Sequence, residues 1–291
     1  METLKRNKLV LLFILPCFIL YIFIVITPLF QSLWYSFFSW KGFGPMQSVG
    51  LRNYIKLFTE DEVVWIAFRN IFYMIVISFI FMLPIALLLA NSLSSVIRGN
   101  RFYSVVFYMP CIISTIMIAL MWSAIFNTDI GPINSILKAV HLDFLAMTWL
   151  GDPKITIFVV IFVNTWQYVG YHMLIFLTSL QAIPESIFEA SRIDGAGGFM
   201  KLIYITVPLL KESIKLNSIL VVIGSFKAFD LVYAMTSGGP ADSTQMLATY
   251  MYHNTFRRFN FGYGSAIAMT IFILSITTSL IQQKILAVKE D

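Results

Sequence analysis

Inside one long apolar stretch, Asn164, Gln167, Tyr168, Tyr171 and His172 recur at i, i+3, i+4, i+7 and i+8, which puts all five on one face of a helix. Amides bring donors and acceptors and phenol rings bring flat apolar faces, so this face can bind and stack on a hydroxyl-rich solute. It can equally act as glue, because polar side chains at membrane depth bond across helix contacts. His172, taken singly, reads as a satisfied packing residue rather than a titrating or metal-binding one. A second polar set follows in the next apolar run. Phe226, Asp230, Tyr233 and Ser237 share a helical face there, and Lys227 is three residues from Asp230, close enough to pair. Lys227 reads as the structural half of that pair; Asp230 either completes it or faces a pathway near its mouth. Asn164, Gln167, Tyr168, Tyr171, Phe226, Asp230 and Tyr233 are thus the candidate pathway residues. Between the two runs stands a concentration of charge: Glu185, Glu189, Arg192, Asp194 and Lys201. These cannot sit in hydrocarbon.

The elements that must carry these groups are set by composition. The 291 residues are 58% hydrophobic and 12% charged, with a mean hydropathy of +0.81, which excludes an ordinary soluble domain. A net charge of +5 comes from basic residues placed singly or in small groups at the ends of apolar runs. That pattern anchors spans at a cytoplasmic face and does not point to nucleic acid. Cys17 and Cys111 fall within apolar runs, so neither a disulfide framework nor paired metal-ligand spacing is present. There is no phosphate-cradling G-x-x-x-x-G-K-[ST] loop, no nucleophile elbow, no H-E-x-x-H and no Cys/His cluster. The chain therefore reads as a non-enzyme.

Six apolar runs, at 9–30, 67–90, 102–126, 155–180, 214–235 and 263–286, are each long enough for a helix to cross a membrane. The expected fold is all-α, a polytopic membrane protein forming a single transmembrane domain over 1–291. Lys5, Arg6 and Lys8 before the first run, Arg98 and Arg101 after the second, and Lys284 and Lys289 at the end put both termini on the cytoplasmic side. Arg257 and Arg258 run against that asymmetry. The first run is too long for a signal peptide and lacks a small-residue cleavage site, so it reads as a retained helix. Pro16 and Pro28 predict kinks in it, and Pro84 a break in the second span. Segments 39–65, 127–154 and 237–260 read as outer loops, the first with a short helix around Asn53 to Phe58. Arg69 is expected to snorkel at the outer edge. No internal repeat is evident.

The charged stretch, 184–208, reads as two short helices outside the bilayer. Pro184 and Glu185 suit the first turn of one helix; Glu189 and Arg192 share a face. Asp194-Gly195 and Gly197-Gly198 end it, and a second helix from Met200 to Val207 is expected to stop at Pro208.

Glu189-Ala190-Ser191, then Gly195, Ile205 and Pro208, resemble the EAA loop of permease subunits in binding-protein-dependent ABC importers. Ser191 stands where a second alanine is usual, and Val207 where leucine is. Val49 to Tyr54 and Phe226 to Asp242 with Thr244 look like the same family, of the carbohydrate-uptake type, and the likeness is most specific between Trp166 and Leu210. The resemblance implies a type I importer permease in a prokaryotic plasma membrane whose loop docks on an ATPase through Glu185, Glu189, Ala190, Arg192, Asp194, Gly195 and Pro208. It also implies a second related permease, two ATPases that carry ATP and magnesium, an extracytoplasmic solute-binding protein and a sugar or oligosaccharide substrate. No cofactor is expected on this chain. An ion-gradient-driven secondary transporter is the alternative, but such proteins place acidic groups in repeated halves, whereas Asp230 is the one clear deep acid here. Amides and aromatics suit sugars. Glycerol phosphate or a polyol stays open, and the lack of an arginine cluster along the path argues against a strongly anionic solute.

Overall fold

The computed structural model describes residues 14–94, 99–193, 195 and 197–285, with Arg192 described by its backbone alone. Residues 9–13 and 286 of the expected spans, the anchoring residues Lys5, Arg6, Lys8, Arg98 and Lys289, and Asp194 lie outside the described residues.

In chain order, α1 covers Ile14–Tyr35. A two-residue antiparallel ladder follows, β1 (Phe38–Ser39) on β2 (Gln47–Ser48), with Phe38 opposite Ser48; it is the one departure from an all-helical fold among the described residues. Next come α2 (Arg52–Thr59), where the short helix is expected, and α3 (Glu62–Ser94). Arg69 lies over the Tyr73 ring, 5.9 Å from its centroid. Helices α4 (Asn100–Ile112) and α5 (Thr115–Ile125) occupy the third apolar run, and α6 (Pro132–Ala139) the loop after it. The fourth run is α7 (Thr156–Gln181), followed by α8 (Glu185–Ile193) and α9 (Gly198–Leu209). Helices α10 (Lys211–Phe226) and α11 (Asp230–Thr236) form the fifth run; α12 (Leu247–Tyr252) and α13 (Phe261–Ile285) complete the fold. Four helices, α1, α3, α7 and α13, are long and apolar enough to cross a membrane, and the bent pairs α4/α5 and α10/α11 raise the number to six if each is one span.

Three corrections concern these elements. The third span is not one helix: α4 and α5 meet at 92°, because Ile113 (ψ 141°) and Ser114 (ψ 128°) are extended. Pro110, inside α4, removes a backbone donor just before this break. The helix after the glycines does not stop at Pro208 but runs through it to Leu209. Segment 237–260 is no simple loop, since α12 lies within it and continues as a wide turn over His253–Arg257. Its first part is also tied down. Asn70 Nδ2 donates to the carbonyls of Ser243 (2.8 Å) and Gln245 (2.9 Å), and Thr249 Oγ1 donates to Gln245 Oε1 (2.7 Å).

Three prolines share one arrangement. Ile22–Ile26, Ser78–Met82 and Leu202–Thr206 are wide π turns, each followed two residues later by a proline: Pro28, Pro84 and Pro208. In each, the N–H of the residue before proline reaches five residues back, as Leu83 does to Ser78 O and Val207 to Leu202 O. Shifting the ladder by one residue accommodates the missing donor and the ring without ending the helix.

The chain packs as two compact units, one from residues up to Asp61 with Met251–Phe272, the other from Glu62–Tyr250 with residues from Ile273 onward. In the first, Asn53 Nδ2 donates to Ser36 O (2.8 Å) and Phe38 O (3.0 Å), and Tyr263 O–H donates to Asp61 Oδ2 (2.6 Å). In the second, Met82, Leu83, Ala86, Ala90 and Leu93 of α3 pack with Met173, Phe176, Leu177 and Leu180 of α7, joined by Leu210 and Val221. Ala86 and Ala90, one turn apart, let the backbones come close. On another side of α7, a Cβ at Gly170 would stand 1.9 Å from Phe107 O; α4 crosses there against bare backbone.

Candidate functional site

Helix α7, held between α3 and α4, presents its polar stripe to a cavity of about 330 Å³ within the second unit. Asn164, Tyr168, Tyr171 and His172 line one wall, and the elbow between α10 and α11, with Lys227, Phe229 and Asp230, lines another. Met74, Ser78 and Met82 of α3 and Thr115 at the start of α5 complete much of the rest. Ser78 and Met82 are the two ends of the wide turn before Pro84, so that turn shapes the cavity wall.

Of the sequence-predicted pathway residues, Asn164, Tyr168, Tyr171 and Asp230 come together on this cavity, and Gln167, Phe226 and Tyr233 do not line it. Gln167 is 1% exposed; its Nε2 donates to Thr115 Oγ1 at 3.1 Å and its Oε1 has no hydrogen-bond partner. It pins the α4/α5 break to α7. Phe226 is buried at the end of α10, and Tyr233 stacks on Phe229 with centroids 5.1 Å apart at 15°. The expected single face through Phe226, Asp230, Tyr233 and Ser237 is lost because α10 and α11 are bent by 43°. The expected Lys227–Asp230 ion pair does not form, whereas Glu212 and Lys215, also three residues apart, do pair at 3.6 Å. Lys227 caps the end of α10 and Phe229 (φ −132°, ψ −63°) is non-helical, so the three-residue spacing no longer brings the two side chains onto one face. Both remain exposed on the cavity.

Sequence reasoning missed Thr115, Ser78 and Lys227 as lining residues. Their signals were faint: a threonine after an interrupted helix, a serine two turns before a proline, and a lysine the pairing rule had already spent. His172 is bonded, as its packing role expects, with Nδ1 2.6 Å from Asn217 Oδ1, yet it also lines the cavity.

A second candidate site lies on α8 and α9. Gly195 takes φ +76° with open space around it, a backbone conformation costly for other residues. Gly197 is extended (ψ 163°) and begins α9. Lys201 Nζ sits 4.4 Å from the Phe188 ring centroid, bracing one helix on the other, and Ser191 Oγ donates to Phe188 O at 2.7 Å. Glu185, Glu189 and Ala190 are exposed, and Pro208 lies in the last turn of α9; the Arg192 side chain and Asp194 lie outside the described residues. Around them the loop exposes Ile193 (86%), Phe199 (76%) and Tyr204 (74%). Charge mixed with that much apolar surface suits a protein partner.

Comparison with known proteins bears on the family and the fold. The family model described as "binding-protein-dependent transport system inner membrane component" matches residues 82–287. The chain is 36% identical over 284 residues, covering 96% of it and 97% of the relative, to a Bacillus subtilis protein named probable ABC transporter permease protein YurN. It is 31% identical to the lactose transport system permease protein LacF of Rhizobium radiobacter (93% of this chain, 91% of LacF). It is also 31% identical to the multiple sugar-binding transport system permease protein MsmF of Streptococcus mutans (94% and 93%). In fold it matches a chain of a bacterial ABC transporter involved in importing the acidic polysaccharide alginate, with a TM-score of 0.86 and 19% identity over 100% of this chain and 99% of that one. A second alginate transporter structure, in complex with a periplasmic protein carrying an alginate pentasaccharide, matches with a TM-score of 0.84 and 19% identity over 97% and 95%. With the family model covering the end of α3 and everything from α4 to α13, the α8–α9 pair included, the chain belongs to the binding-protein-dependent transport system inner membrane components.

Proposed function

We propose that this chain is the permease subunit of an ATP-driven importer and passes a sugar or oligosaccharide through the cavity between α7 and the α10/α11 elbow. The observation that carries this reading is the convergence of Asn164, Tyr168, Tyr171 and Asp230 on one cavity in a largely apolar bundle. Polar groups at that depth are costly unless they face one another or a polar passenger. Neutral amides, phenols and ring faces suit hydroxyl-rich passengers, and relatives such as LacF and MsmF carry names of sugar systems. The α8–α9 pair lies on the cytoplasmic side, with both termini, and docks on an ATPase through Glu185, Glu189, Ala190, Arg192, Asp194, Gly195 and Pro208. A second related permease completes the pathway, two ATPases bind ATP and magnesium, and an extracytoplasmic binding protein delivers the solute. ATP-driven closure of the ATPases moves the pair, and the attached helices rock to open the cavity outward.

The test is ATP-dependent sugar uptake in proteoliposomes holding the whole assembly. Asn164→Ala, Tyr168→Ala and Asp230→Ala are each expected to cut uptake at least tenfold at normal protein levels. Unchanged uptake in all three removes this cavity from the pathway.

A further inference from the structure

The inner wall of the cavity carries an acceptor whose orientation is fixed from behind. Asn217 Nδ2 donates to Ser213 O at 2.9 Å. A carbonyl only accepts, so this bond sets the amide: its nitrogen faces Ser213 and its Oδ1 faces His172. Oδ1 in turn only accepts, so at 2.6 Å the Nδ1 of His172 must carry the proton. In the neutral ring this leaves Nε2 as an acceptor with a free lone pair. His172 is 4% exposed, lines the cavity and makes no second hydrogen bond among the described residues. Tyr171 packs edge-on against the ring, 5.3 Å away at 78°, so the imidazole is held both by its bond and by its neighbour.

We propose that His172 reads a hydroxyl of the passenger: its Nε2 accepts from a solute O–H, while Asn217, anchored on Ser213 O, acts as a positioning residue that fixes the tautomer. This rests on the cavity being the solute pathway, and it narrows the passenger to one with a donor hydroxyl at that wall. A solute group that only accepts, such as a carbonyl or ether oxygen, cannot bond to this Nε2. Packing alone would explain the Nδ1 bond but gives Nε2 no task. The sequence points the other way, to a satisfied side chain, because spacing cannot show that only one ring nitrogen is engaged in a residue that lines a cavity.

The experiment measures uptake of three radiolabelled probes, lactose, diacetylchitobiose and maltotriose, by the complete assembly in proteoliposomes. The probe imported fastest is then compared with its monodeoxy analogues. His172→Phe, which keeps a flat ring and removes the acceptor, is expected to raise KM about three- to tenfold with Vmax within twofold, as loss of one hydrogen bond predicts. One monodeoxy analogue should show the same KM in wild type and variant, identifying the hydroxyl read. His172→Gln, which restores an acceptor, should recover most of the loss. Asn217→Leu should raise KM like His172→Phe, whereas Asn217→Asp, which keeps an acceptor for Nδ1–H, should not. An unchanged KM in His172→Phe, or an equal loss for every analogue, overturns the assignment while leaving the pathway intact if Asn164→Ala and Tyr168→Ala still impair uptake. Import of none of the probes overturns the carbohydrate reading and this inference with it.

Discussion

Gly170 shows how a single missing side chain sets the geometry around α7. A Cβ there would lie 1.9 Å from Phe107 O and 3.0 Å from the Tyr108 Cα, and both obstacles are backbone, so no rotamer change relieves them. Gly170→Ala is expected to lower stability by about 1–3 kcal/mol, the usual cost of overpacking, read as a lower midpoint of thermal unfolding in detergent. Gly224→Ala is the control: nothing stands within 4 Å of where its Cβ would lie, and alanine favours a helix, so its midpoint should not fall. Asn70 makes a different point at the same scale. Its amide serves two carbonyls of a buried turn, so Asn70→Leu strands both and is expected to cost about 1–3 kcal/mol for each carbonyl left unpaired, again seen as an earlier unfolding midpoint. Neither effect could be read from residue types. Gly170 sits in a helical run where glycine is merely tolerated, and the partners of Asn70 are more than 170 residues away.

At the level of elements, periodicity and charge made the helices legible: the runs expected at 67–90 and 155–180 appear as Glu62–Ser94 and Thr156–Gln181. What escaped was how helices are interrupted. Hydropathy cannot separate one span from a bent pair, because α4 and α5 are both apolar, and proline alone does not say whether a helix breaks, bends or widens. Here three prolines follow wide turns and the helix continues, while Pro110 precedes a right-angled break. Pro208→Ala tests what the wide turn does. With the N–H restored and the ring removed, Leu202–Thr206 can tighten to an α-turn, and dropping one residue from the ladder rotates what lies before it by about 100°. Phe199 and Tyr204 would then face a new direction relative to α10. The expected result is a normal protein level with fewer solute molecules moved per ATP hydrolysed; an unchanged ratio would show that the turn is only an accommodation to proline.

For the whole molecule, the family was legible because its most specific stretch is local: Glu189-Ala190-Ser191, Gly195 and Pro208 lie within twenty consecutive residues. The cavity was half legible, since one helix supplies Asn164, Tyr168 and Tyr171 at a readable spacing, while Thr115, Ser78 and Lys227 arrive from three other elements through folds in the chain. That asymmetry separates two ways of breaking transport. Substitutions on the cavity should impair the passage of solute while leaving the ATPases bound. Substitutions on α8 and α9 should loosen the ATPases and lower uptake only through that loss. Gly195→Asp forces a side chain onto φ +76°, costing about 1 kcal/mol or more locally, and Glu189→Lys reverses an exposed charge beside Ile193. Each is expected to reduce co-purification of the ATPase with the permease several-fold and to lower ATP-dependent uptake in proportion, with the thermal midpoint of the permease itself unchanged. Because Gly195 meets nothing within 4 Å, the loss would come from the misplaced surface of α8 and α9 and not from a damaged core. Full ATP-dependent uptake in both variants would mean that the motor grips the chain elsewhere.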